Sequence, residues 1–157
     1  MTSVEDQRKH AWDYFALHAQ QRLATFNFFL IFSSVLLGAL VTTFQKEFRV
    51  PFVAVPIGLF LVLLAFIFWK LDSRNKQLVK NAEDGLRSLE EKWKSQSEHE
   101  HPRYAVFLRD AAYVERARGR ATWRPWKMHL SYSDCFNIVY VVVALAGILG
   151  VGVALFR

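Results

Sequence analysis

Cysteine is almost absent from this chain: Cys135 stands alone among 157 residues. One cysteine excludes an intramolecular disulfide framework and a cysteine-based zinc site. Charge is absent from three long stretches, Ala24–Phe44, Val50–Trp69 and Phe136–Phe156, of 21, 20 and 21 residues. None holds Asp, Glu, Lys, Arg or His. At about 1.5 Å of rise per residue, each would cross roughly 30 Å of hydrocarbon as a helix. Three such runs exclude an ordinary soluble domain and predict an all-α protein with three transmembrane helices.

Catalytic motifs are missing too. There is no P-loop, no GxSxG, no HExxH and no glycine-rich dinucleotide turn. The runs contain no ionisable residue, and this expected absence of buried ionisable groups argues against a proton-coupled carrier. The short length argues against the inverted repeats of most secondary transporters. Neither an enzyme nor a carrier is expected, and no cofactor or metal. No cleavable signal peptide is expected either. The first 23 residues carry Glu5, Asp6, Arg8, Lys9, Asp13 and Arg22, and the run after them is too long for a signal core.

What the chain does have is basic charge, unevenly placed. The formal net charge is +6, and residues 70–135 hold 14 of the 20 Lys and Arg. The first 23 residues hold three more, leaving Lys46, Arg49 and Arg157 for the other side. The positive-inside rule therefore places the N-terminus and the central segment in the cytoplasm, with a small external turn near Gln45–Arg49 and an external C-terminus.

The organisation reads as 1–23, an amphipathic N-terminal helix; 24–69, a two-span hairpin; 70–135, a basic cytoplasmic helical region; and 136–157, the third span. Ser3 with Asp6 and Ser131 with Asp134 have the spacing of helix N-caps. Trp12, Phe15, Ala19, Leu23 and Phe26 recur at helical spacing along the lead-in. Pro56 lies inside the second span, where it is expected to bend the external end. Beyond that span Leu71, Leu78, Ala82, Leu86, Leu89 and Trp93 continue as an apolar stripe among charges. The stripe must be covered by another segment or a neighbouring subunit, and Leu78, Ala82, Leu86, Leu89 and Trp93 are the candidate oligomer contacts. Residues 95–103 (SQSEHEHPR) form a polar loop. Tyr104, Phe107, Leu108, Ala111 and Val114 then predict a second cytoplasmic helix, closing a hairpin.

Three features could carry chemistry. The first is RARGRATWRPWK, residues 116–127, with five cations, two tryptophans and no acid. Together with Arg109, its Arg116, Arg118, Arg120, Arg124 and Lys127 could hold an anionic ligand, with Trp stacking on a base. The same residues suit anionic lipid headgroups at the inner membrane interface. The second is the row Asn27, Ser34, Gly38 and Thr42 on the first span, which could pack against another helix or line a narrow aqueous path. Ala146, Gly150 and Ala154, with Gly147 beside them, make a similar small-residue row on the third span. The third is Glu98-His99-Glu100-His101, whose i, i+2 histidines face apart on a helix and lack a third ligand. A solvated loop explains them better.

The amphipathic lead-in WDYFALHAQQRLATFNFF, the tight two-span hairpin and the charged helix FWKLDSRNKQLVKNAEDGLRSLEEKW together resemble small multi-span effectors of bacterial nucleotide-signalled antiphage systems. SLATT-type two-span effectors and the membrane partner of Hailong-type systems share this layout, from which the third span departs. The resemblance implies a homo-oligomeric effector in the bacterial inner membrane. A nucleotide or oligonucleotide made by a partner nucleotidyltransferase would open it and depolarise the membrane. The alternative is a non-conducting adaptor that docks a soluble partner on residues 76–91, with Trp93 as a hot spot.

Overall fold

The computed structural model describes residues 4–45, 51–96, 105–119 and 131–156. All the regular structure in them is helical: α1 Val4–Thr43, α2 Pro51–Gln96, α3 Val106–Gly119 and α4 Tyr132–Phe156. Three of the four, α1, α2 and α4, are long and apolar enough to cross a membrane. The lead-in and the first apolar run form one 40-residue helix, because no proline or glycine lies between Glu5 and Leu37 to interrupt the backbone ladder. Likewise α2 carries the second run and the charged stripe through 46 residues and stays helical across Pro56. The expected Ser131 cap is present at the head of α4. Asp134 N–H donates to Ser131 Oγ at 3.3 Å, and Ser131 N–H donates to Asp134 Oδ2 at 3.0 Å. Each residue thus bonds the other's amide from its side chain, and the Asp134 amide also reaches the Ser131 carbonyl at 2.9 Å. Ser3, the other expected cap, lies outside the described residues.

The chain forms two compact units. One comprises Gln21–Asn75 and Ser131–Arg157. Its core is Phe29, Leu40, Ala54, Leu61, Ala65, Phe136, Tyr140 and Val143, drawn from the three spans. Phe26 stacks flat on Phe136 with ring centroids 3.8 Å apart, and Tyr140 meets Phe26 and Phe29 edge-on. Glycine sets the closest approach. A Cβ at Gly58 would stand 2.7 Å from the Gly147 carbonyl oxygen, and one at Gly147 would stand 2.7 Å from that of Gly58. Backbones of α2 and α4 therefore touch, which only a missing side chain on both helices permits. Gly150 in turn receives Leu40 of α1. Just 17%, 22% and 22% of the apolar windows of α1, α2 and α4 are buried, so most span surface is left for lipid or other chains.

The other unit comprises Met1–Gln20 and Lys76–Leu130. Trp12 and Phe15 of α1 meet Phe107 of α3 at centroid distances of 6.3 and 5.5 Å. Glu90 of α2 accepts hydrogen bonds from the Phe107 and Leu108 amides at 3.3 and 2.9 Å. A carboxylate at that place satisfies α3's first free amides and complements the positive end of its dipole.

Candidate functional site

A polar clamp lies where the three apolar runs adjoin charge. Arg22 of α1 donates from Nε to Asp72 Oδ1 at 2.6 Å and from Nη2 to Asp72 Oδ2 at 3.0 Å. The same Nη2 donates to Ser133 Oγ of α4 at 3.0 Å. The Arg22 guanidinium also lies 5.1 Å from the Phe136 ring centroid, where the face of the ring attracts it. Asp72 is 4% exposed, and the Arg22 side chain 14%. A parallel two-point pair of this kind fixes orientation as well as distance. The expected absence of buried ionisable groups is thus corrected. The charges lie just beyond the runs, where each can be buried once the other neutralises it. Sequence spacing did hold a signal: Arg22 is two residues before the first run and Asp72 three after the second, at matching depth and opposite sign.

The row Asn27, Ser34, Gly38 and Thr42 is exposed throughout. At about 100° per residue, Asn27, Ser34 and Gly38 fall opposite the buried face of α1, which carries Phe29, Ser33, Leu40 and Thr43. Ser34 Oγ donates to the Leu30 carbonyl at 2.7 Å and Thr42 Oγ1 to that of Ala39 at 2.7 Å. A Cβ at Gly38 would meet nothing within 4 Å. The row is therefore presented away from the subunit's own core.

In the other unit, Ala82 and Leu86 of the α2 stripe are buried, while Leu78, Leu89 and Trp93 are half-buried. Leu86, Leu89 and Trp93 line a groove of about 930 Å³, shared with Trp12 and Phe107 and rimmed by charges of α1. Also on α2, burial pushes the Glu83 carboxyl above its ordinary range, with Asp110 and Asp84 adding to the rise while Arg87 and Lys80 oppose it. Of the candidate anion ligands, Arg109 and Arg116 are exposed on α3. Arg118 belongs to α3 as well, whereas Arg120, Arg124 and Lys127 lie outside the described residues, as does Glu98–His101. Among the described residues no group of three His, Cys, Asp or Glu could hold a metal ion.

Comparison with known proteins follows the same architecture. The model of the octameric membrane protein family matches residues 5–156. The chain belongs to the octameric membrane protein family. A relative, CD-NTase-associated protein 19 of Escherichia coli, is 32% identical over 142 residues, covering 90% of this chain and 85% of that protein. No solved structure matches the chain significantly. Membership of an octameric membrane family supports a multi-pass membrane protein that assembles with its own copies. In such a family the large outward surface of α1, α2 and α4 has two claimants, lipid and neighbouring subunits. Among the described residues, the row on α1 brings Asn27, Ser34 and Thr42 to an outward face that also carries Ile31 and Val41, and the groove beside α3 combines an apolar floor with a charged rim.

Proposed function

We propose that this chain is a homo-oligomeric effector of antiphage defence in the bacterial inner membrane, assembling as an octamer that conducts ions. The observation that carries this reading is the polar row on α1 turned away from the subunit core. Asn27, Ser34, Gly38 and Thr42 accept water without bearing charge, and rotation of eight copies about one axis would turn eight such rows inward. A single subunit of three spans encloses no path of its own. The N-terminus and the central basic segment lie in the cytoplasm in this reading, following the positive-inside asymmetry.

The name of the Escherichia coli relative supports a link to a nucleotidyltransferase. The signal that opens the pore is a nucleotide or oligonucleotide, held by Arg109, Arg116, Arg118, Arg120, Arg124 and Lys127 through charge-assisted bonds to phosphate. Binding opens the assembly only through tighter affinity for the open arrangement than for the closed one. The protein's own residues carry no catalysis in this account.

The test is ion flux from dye-loaded liposomes carrying purified protein, with and without a panel of cyclic and linear oligonucleotides. Flux that one ligand switches on, and that is lost when Arg116, Arg120 and Arg124 are replaced by Ala, is the expected result. Unchanged response in the triple variant removes the proposed ligand site. Silence under every ligand, from protein shown to be octameric, replaces the channel with a membrane adaptor.

A further inference from the structure

The groove beside α3 is apolar at its floor and mixed in charge at its rim. Leu86 is buried there, Leu89, Trp93 and Phe107 are half-buried, and Trp12 is 51% exposed. Glu5, Asp6 and Glu90 on the rim outnumber Arg8 and Lys9, which disfavours a nucleotide or an anionic headgroup as occupant. The volume of about 930 Å³ is large enough for several side chains from one face of a helix.

A helix face of matching character occurs on the same chain. On α3, Phe107, Leu108, Ala111 and Ala112 are half-buried by the subunit itself. The opposite side presents Val106, 57% exposed, and Tyr113, 61% exposed, two turns apart. Arg109 and Asp110 stand exposed between them on the two flanks of this ridge. An apolar ridge with one cation and one anion beside it matches an apolar groove whose rim carries both signs, and Val106 and Tyr113 stand at i and i+7, two of the anchor positions of helix-in-groove recognition.

We propose that the groove receives the Val106–Arg109–Tyr113 face of α3 from a second copy of this chain. Groove and ridge are different patches, so the contact is heterologous. Repeated by rotation, such a contact generates a ring, whereas a self-complementary contact stops at two copies. A ring is what membership of an octameric family calls for. The inference rests on the homo-oligomeric part of the proposed function and is independent of whether the assembly conducts.

Two differently tagged chains, each in a Cys135→Ser background, are co-expressed. One carries Lys9→Cys at the groove rim and the other Tyr113→Cys on the ridge. Treatment of membranes with a short bis-maleimide is expected to give a mixed-tag dimer, with no dimer of either tag alone. Octamers seen by native mass spectrometry without a mixed-tag product overturn the groove pairing while leaving the octamer standing. Monomers throughout overturn both. As a second arm, Tyr113→Asp places a charge in the groove and is expected to abolish the octamer with helical circular dichroism unchanged. Octamers retained by that variant overturn the proposal.

Discussion

The guanidinium of Arg22 grips the carboxylate of Asp72 at two points, 2.6 and 3.0 Å, across fifty residues of chain. It ties α1 to α2 with directional bonds, and Ser133 draws α4 into it. A pair this buried stabilises only as a pair, since each charge alone would be left without water or a partner.

Removing one partner should therefore cost more than removing both. Arg22→Ala or Asp72→Ala is expected to lose about 3–5 kcal/mol, whereas Arg22→Met with Asp72→Leu should be close to neutral or better. Thermal unfolding of the purified protein in detergent reads the difference. Equal losses in single and double variants would show that the pair does not act as a unit.

The two glycine contacts differ in what would have to move. Gly147→Ala drives its Cβ against the Gly58 carbonyl at 2.7 Å, which is backbone, while Gly150→Ala meets the Cδ2 end of Leu40 at 2.6 Å. A leucine tip can turn and a helix backbone cannot, so Gly147→Ala should cost about 1–3 kcal/mol and Gly150→Ala less. The order of their unfolding midpoints checks this. Reversal would mean that α2 and α4 separate more easily than Leu40 repacks.

The outward row on α1 should behave in the opposite way. Ser34→Leu and Gly38→Leu touch nothing buried in the subunit and should change subunit stability by no more than about 0.5 kcal/mol. Both should reduce liposome flux by narrowing the path. Normal flux combined with a lowered midpoint would assign the row to packing instead.

The hydroxyl of Tyr140 is buried without a hydrogen-bond partner, although the ring packs well. An unpaired buried hydroxyl costs about 1–3 kcal/mol, a cost the phenylalanine ring does not carry. Tyr140→Phe is expected to raise the midpoint or leave it unchanged. A clear fall would show that the hydroxyl has a partner in the assembled protein.

Glu83 gives a pH signature. Burial raises its folded-state affinity for a proton above the unfolded one, with Asp110 and Asp84 pushing the same way. In the window between the two values the folded chain binds more protons, so stability falls as pH rises through it. Above the window the penalty is complete. Glu83→Gln should flatten the slope just above the ordinary carboxylate range and stabilise the protein at neutral pH. Midpoints measured across acid to neutral pH test it, and a slope unchanged in Glu83→Gln would assign it to another group.

Much of this molecule is local and therefore readable from the residues alone. Runs without charge announce the three spans, because burying charge in hydrocarbon is costly wherever the rest of the chain goes. The Ser131–Asp134 cap spans four residues, so its bond depends on one turn of backbone. Continuity of α1 and of α2 follows in the same way from the residues at each junction, whose side chains all tolerate a helix. Asn27, Ser34 and Gly38 share a face by periodicity. That the face turns from the core could not be read, because Phe29 and Leu40 define the core only once α2 and α4 are in place.

The remaining features pair residues far apart in the chain. Arg22 and Asp72 each look like an ordinary flanking charge, and nothing local distinguishes a solvated guanidinium from one clasped by a carboxylate. Gly58 and Gly147 each look like a glycine in an apolar run, and only helix crossing brings their backbones to contact. Composition and periodicity thus determined which segments are helical and which of them enter the membrane, since those depend on neighbours within a turn or two. Which charges are buried, which glycines touch and which face of α1 turns from the core were decided by tertiary packing, because each depends on what a distant segment places opposite.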